Sequence, residues 1–114
     1  MLEWLTTSSS VGIFSNMKAR ALVNRRIVLT PIAFVEMLLW EVPFPVRGSK
    51  HSYKYGLALV VGGVCILRYD NEAGKGDHRH VGMEEHPYRF EGVDRLIADF
   101  EGDVRRWLDE HADA

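Results

Sequence analysis

Cysteine is almost missing from this chain: Cys65 is the only one among 114 residues, so no internal disulfide braces the fold. Within Val64-Cys65-Ile66-Leu67 it reads as a small buried hydrophobe rather than a nucleophile. No apolar run reaches the roughly 18 residues needed to cross a bilayer as a helix. The N-terminus also lacks a basic region leading into an apolar core, the pattern of a secretory signal, so a cytoplasmic location without membrane contact is expected. Phosphate loops of the Walker type and dinucleotide fingerprints are absent too, because Gly74-Lys75-Gly76 has neither their spacing nor a following helix.

What is present fits one domain with a single core, given 114 residues of which 46% are hydrophobic and 26% charged. The net charge of -2 conceals a separation. Residues 18–89 hold eleven Lys/Arg against seven Asp/Glu, whereas residues 90–114 hold three against eight. A basic body with an acidic tail is compatible with a polyanionic partner, and equally with ordinary solvated surface charge.

Along the chain, residues 1–17 form no sustained period, since Thr6-Thr7-Ser8-Ser9-Ser10 interrupts Met1-Leu2-Glu3-Trp4-Leu5. They read as an N-terminal arm, with a single α+β domain over 18–111. From Lys18 to Val42 two strands are expected, broken at Thr30-Pro31, with Glu36 on the same alternate set as Phe34, Leu38 and Trp40. A helix over 32–41 competes with the second of them. Trp40 reads as core. Pro43-Phe44-Pro45 ends regular pairing, and Arg47 to His51 makes a basic connection.

The segments Ser52–Val61 and Val64–Asp70 flank Gly62-Gly63, a two-residue turn that predicts a hairpin. Counting outward from it pairs Val61 with Val64, Val60 with Cys65, Leu59 with Ile66 and Leu57 with Arg68. His86-Pro87-Tyr88-Arg89-Phe90 is expected as a short edge strand. Gly92 can then cap a helix whose apolar residues Val93, Leu96, Ile97, Phe100, Val104, Trp107 and Leu108 recur at steps of three and four. The fold class is α+β: a small antiparallel sheet of about four to five strands covered by a C-terminal amphipathic helix. Exposed edge strands make a homodimer a candidate state.

Between the hairpin and the helix lies the densest chemistry, a glycine-bearing loop that delivers Lys75, Asp77, His78, Arg79 and His80 almost without a spacer. Metal-free RNA cleavage needs a base for the 2′-hydroxyl, an acid for the leaving 5′-oxygen and cations for the phosphorane charge. Histidine is the side chain that ordinarily changes charge near neutrality, and His78 and His80 fall on one side of an extended segment. The candidate catalytic set is His78, His80, Lys75, Tyr88 and Asp77, with Asp77 orienting a histidine. Arg68, Arg79, Arg89, Lys54 and His51 are candidates for substrate binding. A metal is disfavoured, because Lys75 and Arg79 would repel a cation beside His78 and His80; no cofactor is expected. Each residue also has a plain reading: hydrogen-bonded loop histidines, solvated cations, and Tyr53, Tyr55 and Tyr69 as packing.

The run from Leu67 through Asp70-Asn71-Glu72, Gly74-Lys75-Gly76-Asp77-His78-Arg79-His80, Glu85 and Pro87-Tyr88-Arg89-Phe90 to Leu96-Ile97-Ala98-Asp99-Phe100 closely resembles the TumE family of bacterial toxin components. Trp40-Glu41-Val42-Pro43, Gly48-Ser49 and His51-Ser52-Tyr53-Lys54-Tyr55 fit the same pattern, so the resemblance spans roughly residues 18–108. Gly56 stands where the pattern has a basic residue. The resemblance implies the toxin half of a two-gene toxin–antitoxin module, with a helix-turn-helix antitoxin from the adjoining gene as partner. Whether such a chain cleaves RNA or grips an antitoxin or nucleic acid without turning it over is a question for the site itself.

Overall fold

The computed structural model describes residues 19–111, which form six strands and one helix. Residues 1–17, expected as an arm, lie outside the described residues. The strands are β1 (Arg20–Thr30), β2 (Ala33–Glu41), β3 (Tyr53–Val61), β4 (Val64–Glu72), β5 (Gly76–Val81) and β6 (Glu84–Pro87), followed by α1 (Val93–Glu110). They make one sheet in chain order, each strand antiparallel to its neighbours. Residues 33–41 are strand, not helix, because alternation puts Val35, Met37 and Leu39 together in the core.

The sheet has six strands where about four to five were expected. The additional one is β5, which the sequence presents as a polar loop. It lacks apolar alternation, yet both of its edges are paired, with β4 through Asp70–His78 and with β6 through His80–Glu85. Ladder hydrogen bonds on two sides hold it extended despite its composition.

One face of the sheet is covered by α1. Val35, Met37 and Leu39 of β2, Tyr55, Leu57 and Leu59 of β3, and Leu67 and Tyr69 of β4 pack with Leu96, Ile97, Phe100 and Val104 of the helix. Burying each such side chain contributes roughly 1.5–3 kcal/mol, which makes this face the main source of stability. Val93, Trp107 and Leu108 flank the stripe, half-buried. Gly92 opens the helix at φ 112°, a conformation that a side chain would strain, and offers no side-chain cap.

The β3–β4 hairpin turns at Gly62-Gly63 as expected, with φ of 56° and 81°. Its first two pairs, Val61–Val64 and Val60–Cys65, also follow the count. Beyond them a bulge leaves Ile66 without an opposite residue, so that Leu59 faces Leu67, Leu57 faces Tyr69 and Gly56 faces Asp70. The unbroken register would have set Arg68 and Asp70 among the leucines beneath α1. The bulge instead buries Leu67 and Tyr69 there and turns Arg68 and Asp70 to the uncovered face. Cys65, expected to be buried, is an exposed free thiol, because it lies before the bulge, opposite Val60 near the hairpin tip.

Candidate functional site

Alternation along β5 divides the charged cluster between the two faces. Asp77 and Arg79 point to the helix side; His78 and His80 point to the open side. Each group's surroundings follow from that division.

On the helix side, Asp77 is a hub. Its carboxylate accepts hydrogen bonds from Ser49 Oγ at 2.5 Å, His51 Nε2 at 2.7 Å and the Tyr55 hydroxyl at 2.6 Å. The Tyr53 N–H donates to His51 Nδ1, which fixes His51 as the tautomer with its proton on Nε2. Phe90 stacks on that ring at 3.7 Å. Burial first, and then the bond to Asp77, push the Tyr55 hydroxyl far above its ordinary range, so it stays a donor. The segment carrying Ser49 and His51 reaches Asp77 through a close backbone approach of Gly48 to Gly76. A Cβ on Gly48 would come within 2.7 Å of Gly76 N. The histidine that Asp77 meets is His51 rather than His78 or His80.

Arg79 and Tyr88 belong to the same side. Arg79 Nε donates to Asp103 Oδ2 at 2.9 Å and to the Tyr69 hydroxyl at 3.1 Å, and Arg106 completes the cluster on Asp103 Oδ1. The Tyr88 hydroxyl donates to Asp99 at 2.7 Å, and its ring meets Tyr69 edge-on. Burial and then the Asp99 bond raise the Tyr88 hydroxyl well above its ordinary value, which makes it a poorer acid. Arg89 is exposed, beside Glu91 at 3.4 Å.

The open face brings the two histidines together, with ring centroids 6.3 Å apart. His78 Nε2 donates to the Lys75 carbonyl at 2.6 Å, so in the neutral ring Nδ1 carries the lone pair. That Nδ1 is buried without a hydrogen bond: Glu85 Oε2 is 3.2 Å away, an ion-pair distance but not a hydrogen-bonding alignment. The same Glu85 oxygen lies 3.5 Å from His80 Nε2, and Asp70 Oδ1 lies 3.7 Å from it on another side. Arg68 is the register partner of His80, is exposed, and has no ion pair among the described residues. Lys54 reaches this face from β3, its Nζ on the Asn71 carbonyl at 2.7 Å, and Lys75 is exposed in the β4–β5 turn.

Of the sequence candidates, then, the structure gathers His78, His80, Arg68 and Lys54 on one face, with Lys75 at its edge. It sends Asp77, His51, Arg79 and Tyr88 to the other. Glu85, Asp70 and Trp40 join the open face without having been singled out for it. Trp40 is half-buried there rather than in the core, which its place on the Phe34–Glu36–Leu38 set could have indicated. Among the described residues no His, Cys, Asp or Glu cluster could hold a metal ion, and no helix is long and apolar enough to cross a membrane.

No curated protein and no solved structure matches the chain. A family model described as Toxin TumE matches residues 4–108, reaching further toward the N-terminus than the resemblance read from about residue 18. With nearly its whole length matched, the chain belongs to the TumE toxin family.

Proposed function

We propose that this chain is the toxin half of a toxin–antitoxin module and that it cleaves RNA at the open face, without a metal. The observation that carries the reading is Glu85 Oε2, one carboxylate oxygen lying 3.2 Å from His78 Nδ1 and 3.5 Å from His80 Nε2. Two imidazoles converge on the seat of a single anionic oxygen, the arrangement that a phosphodiester between a base and an acid requires. Glu85 stands on the exposed edge strand β6 and can swing aside.

In the proposed step, His78 Nδ1 takes the proton of a 2′-hydroxyl, whose oxygen attacks phosphorus. The bond from phosphorus to the 5′-oxygen breaks, and His80 Nε2 supplies the proton that this oxygen needs. The products are a 2′,3′-cyclic phosphate and a free 5′-hydroxyl, and solvent returns the two rings to their starting states. Arg68 and Lys75 supply positive charge for the phosphorane. The Lys75 carbonyl holds the tautomer that makes Nδ1 the acceptor.

The test is induction of the chain without its antitoxin, for which a helix-turn-helix protein from the adjoining gene is the candidate. Growth should stop and transcripts should shorten, and His78→Ala or His80→Ala should abolish both while the fold persists. If those variants stay fully toxic, the catalytic reading is wrong. The exposed cations Arg68 and Lys75 favour a second reading, a non-catalytic module that grips an anionic partner. Toxicity would then follow those two residues and weaken with salt in a binding assay.

A further inference from the structure

Beside the histidine pair, on the same face, lies a depression of about 250 Å³. Gly56 and Ala58 of β3 form its floor, and Trp40, Lys54, Arg68, Asp70 and Glu36, the last paired with Arg26, line it, with Asp70 the residue that neighbours His80. A Cβ built on Gly56 would meet nothing within 4 Å, so the floor is bare and nothing from the neighbouring strands fills it. Asp70 is only 8% exposed, and its Oδ1 is buried without a hydrogen bond. The nearest ring nitrogen, His80 Nε2, is 3.7 Å away and beyond bonding reach. A buried carboxylate oxygen without a donor is costly, and a ligand that brings a donor removes the cost.

We propose that this depression is a nucleobase pocket that selects guanine; the inference rests on the RNA-directed reading above and names the base beside the reacting phosphate. Guanine alone among the four RNA bases sets two N–H donors side by side, on the ring N1 and the exocyclic N2 that flank C2, to match the two oxygens of a carboxylate. Adenine and cytosine place a ring lone pair beside their amino group, and uracil flanks its one N–H with carbonyls. Asp70 attracts the first and repels the lone pairs of the others. Trp40 offers an aromatic surface to the base, and Lys54 and Arg68 neutralise the adjoining phosphates.

The measurement is calorimetric binding of 3′-GMP, 3′-AMP, 3′-CMP and 3′-UMP to the purified chain. The guanine nucleotide should bind roughly tenfold or more tighter than the other three, the discrimination of one good bidentate contact. Asp70→Asn, nearly isosteric, should erase the preference. Gly56→Val, which fills the floor at a position open to a side chain, should weaken all four with an unchanged circular dichroism spectrum and thermal midpoint. A single-stranded tetranucleotide with one guanine should bind tighter than 3′-GMP, and equal affinity overturns RNA as the source of the base. No binding to the intact chain, equal binding of the four nucleotides, or a preference that survives Asp70→Asn overturns the pocket. Binding needs no chemistry, so His78→Ala and His80→Ala keep the guanine preference even where they abolish cleavage. A chain that selects guanine but cuts no RNA sinks the ribonuclease reading and leaves the pocket standing.

Discussion

Both faces of the sheet carry charged groups and treat them oppositely. Under the helix, Asp77 collects three donors, Asp103 is held by Tyr69, Arg79 and Arg106, and the amide of Asn71 bonds the Tyr53 carbonyl, the Tyr55 N–H and Ser49 Oγ. On the open face, Asp70 Oδ1 and His78 Nδ1 are buried too and have no hydrogen bond. Polar density alone therefore marks nothing in this protein. Groups whose bonding is complete fasten the fold, and groups whose bonding is left incomplete are the ones whose lone pairs a donor from outside would satisfy.

The contrast breaks if the faces respond alike to substitution. The largest effect is expected for His78→Ala and His80→Ala, which should each lower the rate of RNA cleavage by roughly 10²–10⁴, read from a labelled oligonucleotide, with little change in urea midpoint. Asp77→Ala should do the reverse: it strands three donors and should cost about 3 kcal/mol of stability, measured by urea unfolding, so that toxicity is lost through unfolding rather than chemistry. A chain in which Asp77→Ala unfolds no more readily than His78→Ala would remove the distinction.

Asp103 gives a smaller effect with a definite sign in pH. Burial pushes its carboxyl up, but the hydrogen bonds from Arg79, Tyr69 and Arg106 outweigh burial and hold it below the ordinary value of an aspartate. A carboxyl depressed in the folded state stabilises the fold above its unfolded value and ceases to as pH falls through the lower, folded one. Asp103→Asn should thus lower stability at neutral pH by about 2 kcal/mol and flatten the loss of stability below about pH 4, which thermal scans at a series of pH values would follow. The smallest effect sharpens the comparison from the other side. Arg68→Gln should leave stability within about 0.5 kcal/mol while reducing the salt dependence of RNA binding by about one counterion.

The fold was legible where local chemistry decides it. Gly62-Gly63 announced its turn, and the period from Val93 to Leu108 announced the helix that covers the sheet. Two features were hidden because distant partners decide them. β5 is extended only through pairing on both sides, and the Ile66 bulge answers to what the helix needs beneath it, which no count from the turn contains. The site was half legible for the same reason. Spacing of two residues put His78 and His80 on one face, but the same alternation, which sends Asp77 and Arg79 to the other, was not drawn from a segment read as a loop. It could not tell that Asp77 would find His51, 26 positions earlier, or that Tyr88 would turn toward Asp99. Glu85 and Asp70 came to the histidines through cross-strand register, and Asp70 was placed on the wrong side as long as the bulge was unseen.

Because α1 follows every strand in the chain, a ribosome finishes the whole meander before the last eighteen-residue element emerges to shield it. During that interval the histidine-bearing strands have been made, while the leucine-rich underside has no cover. A nascent chain interrupted before Val93 would lack the partner of its own core and expose Val35, Met37, Leu39, Leu57 and Leu59, a state prone to clump.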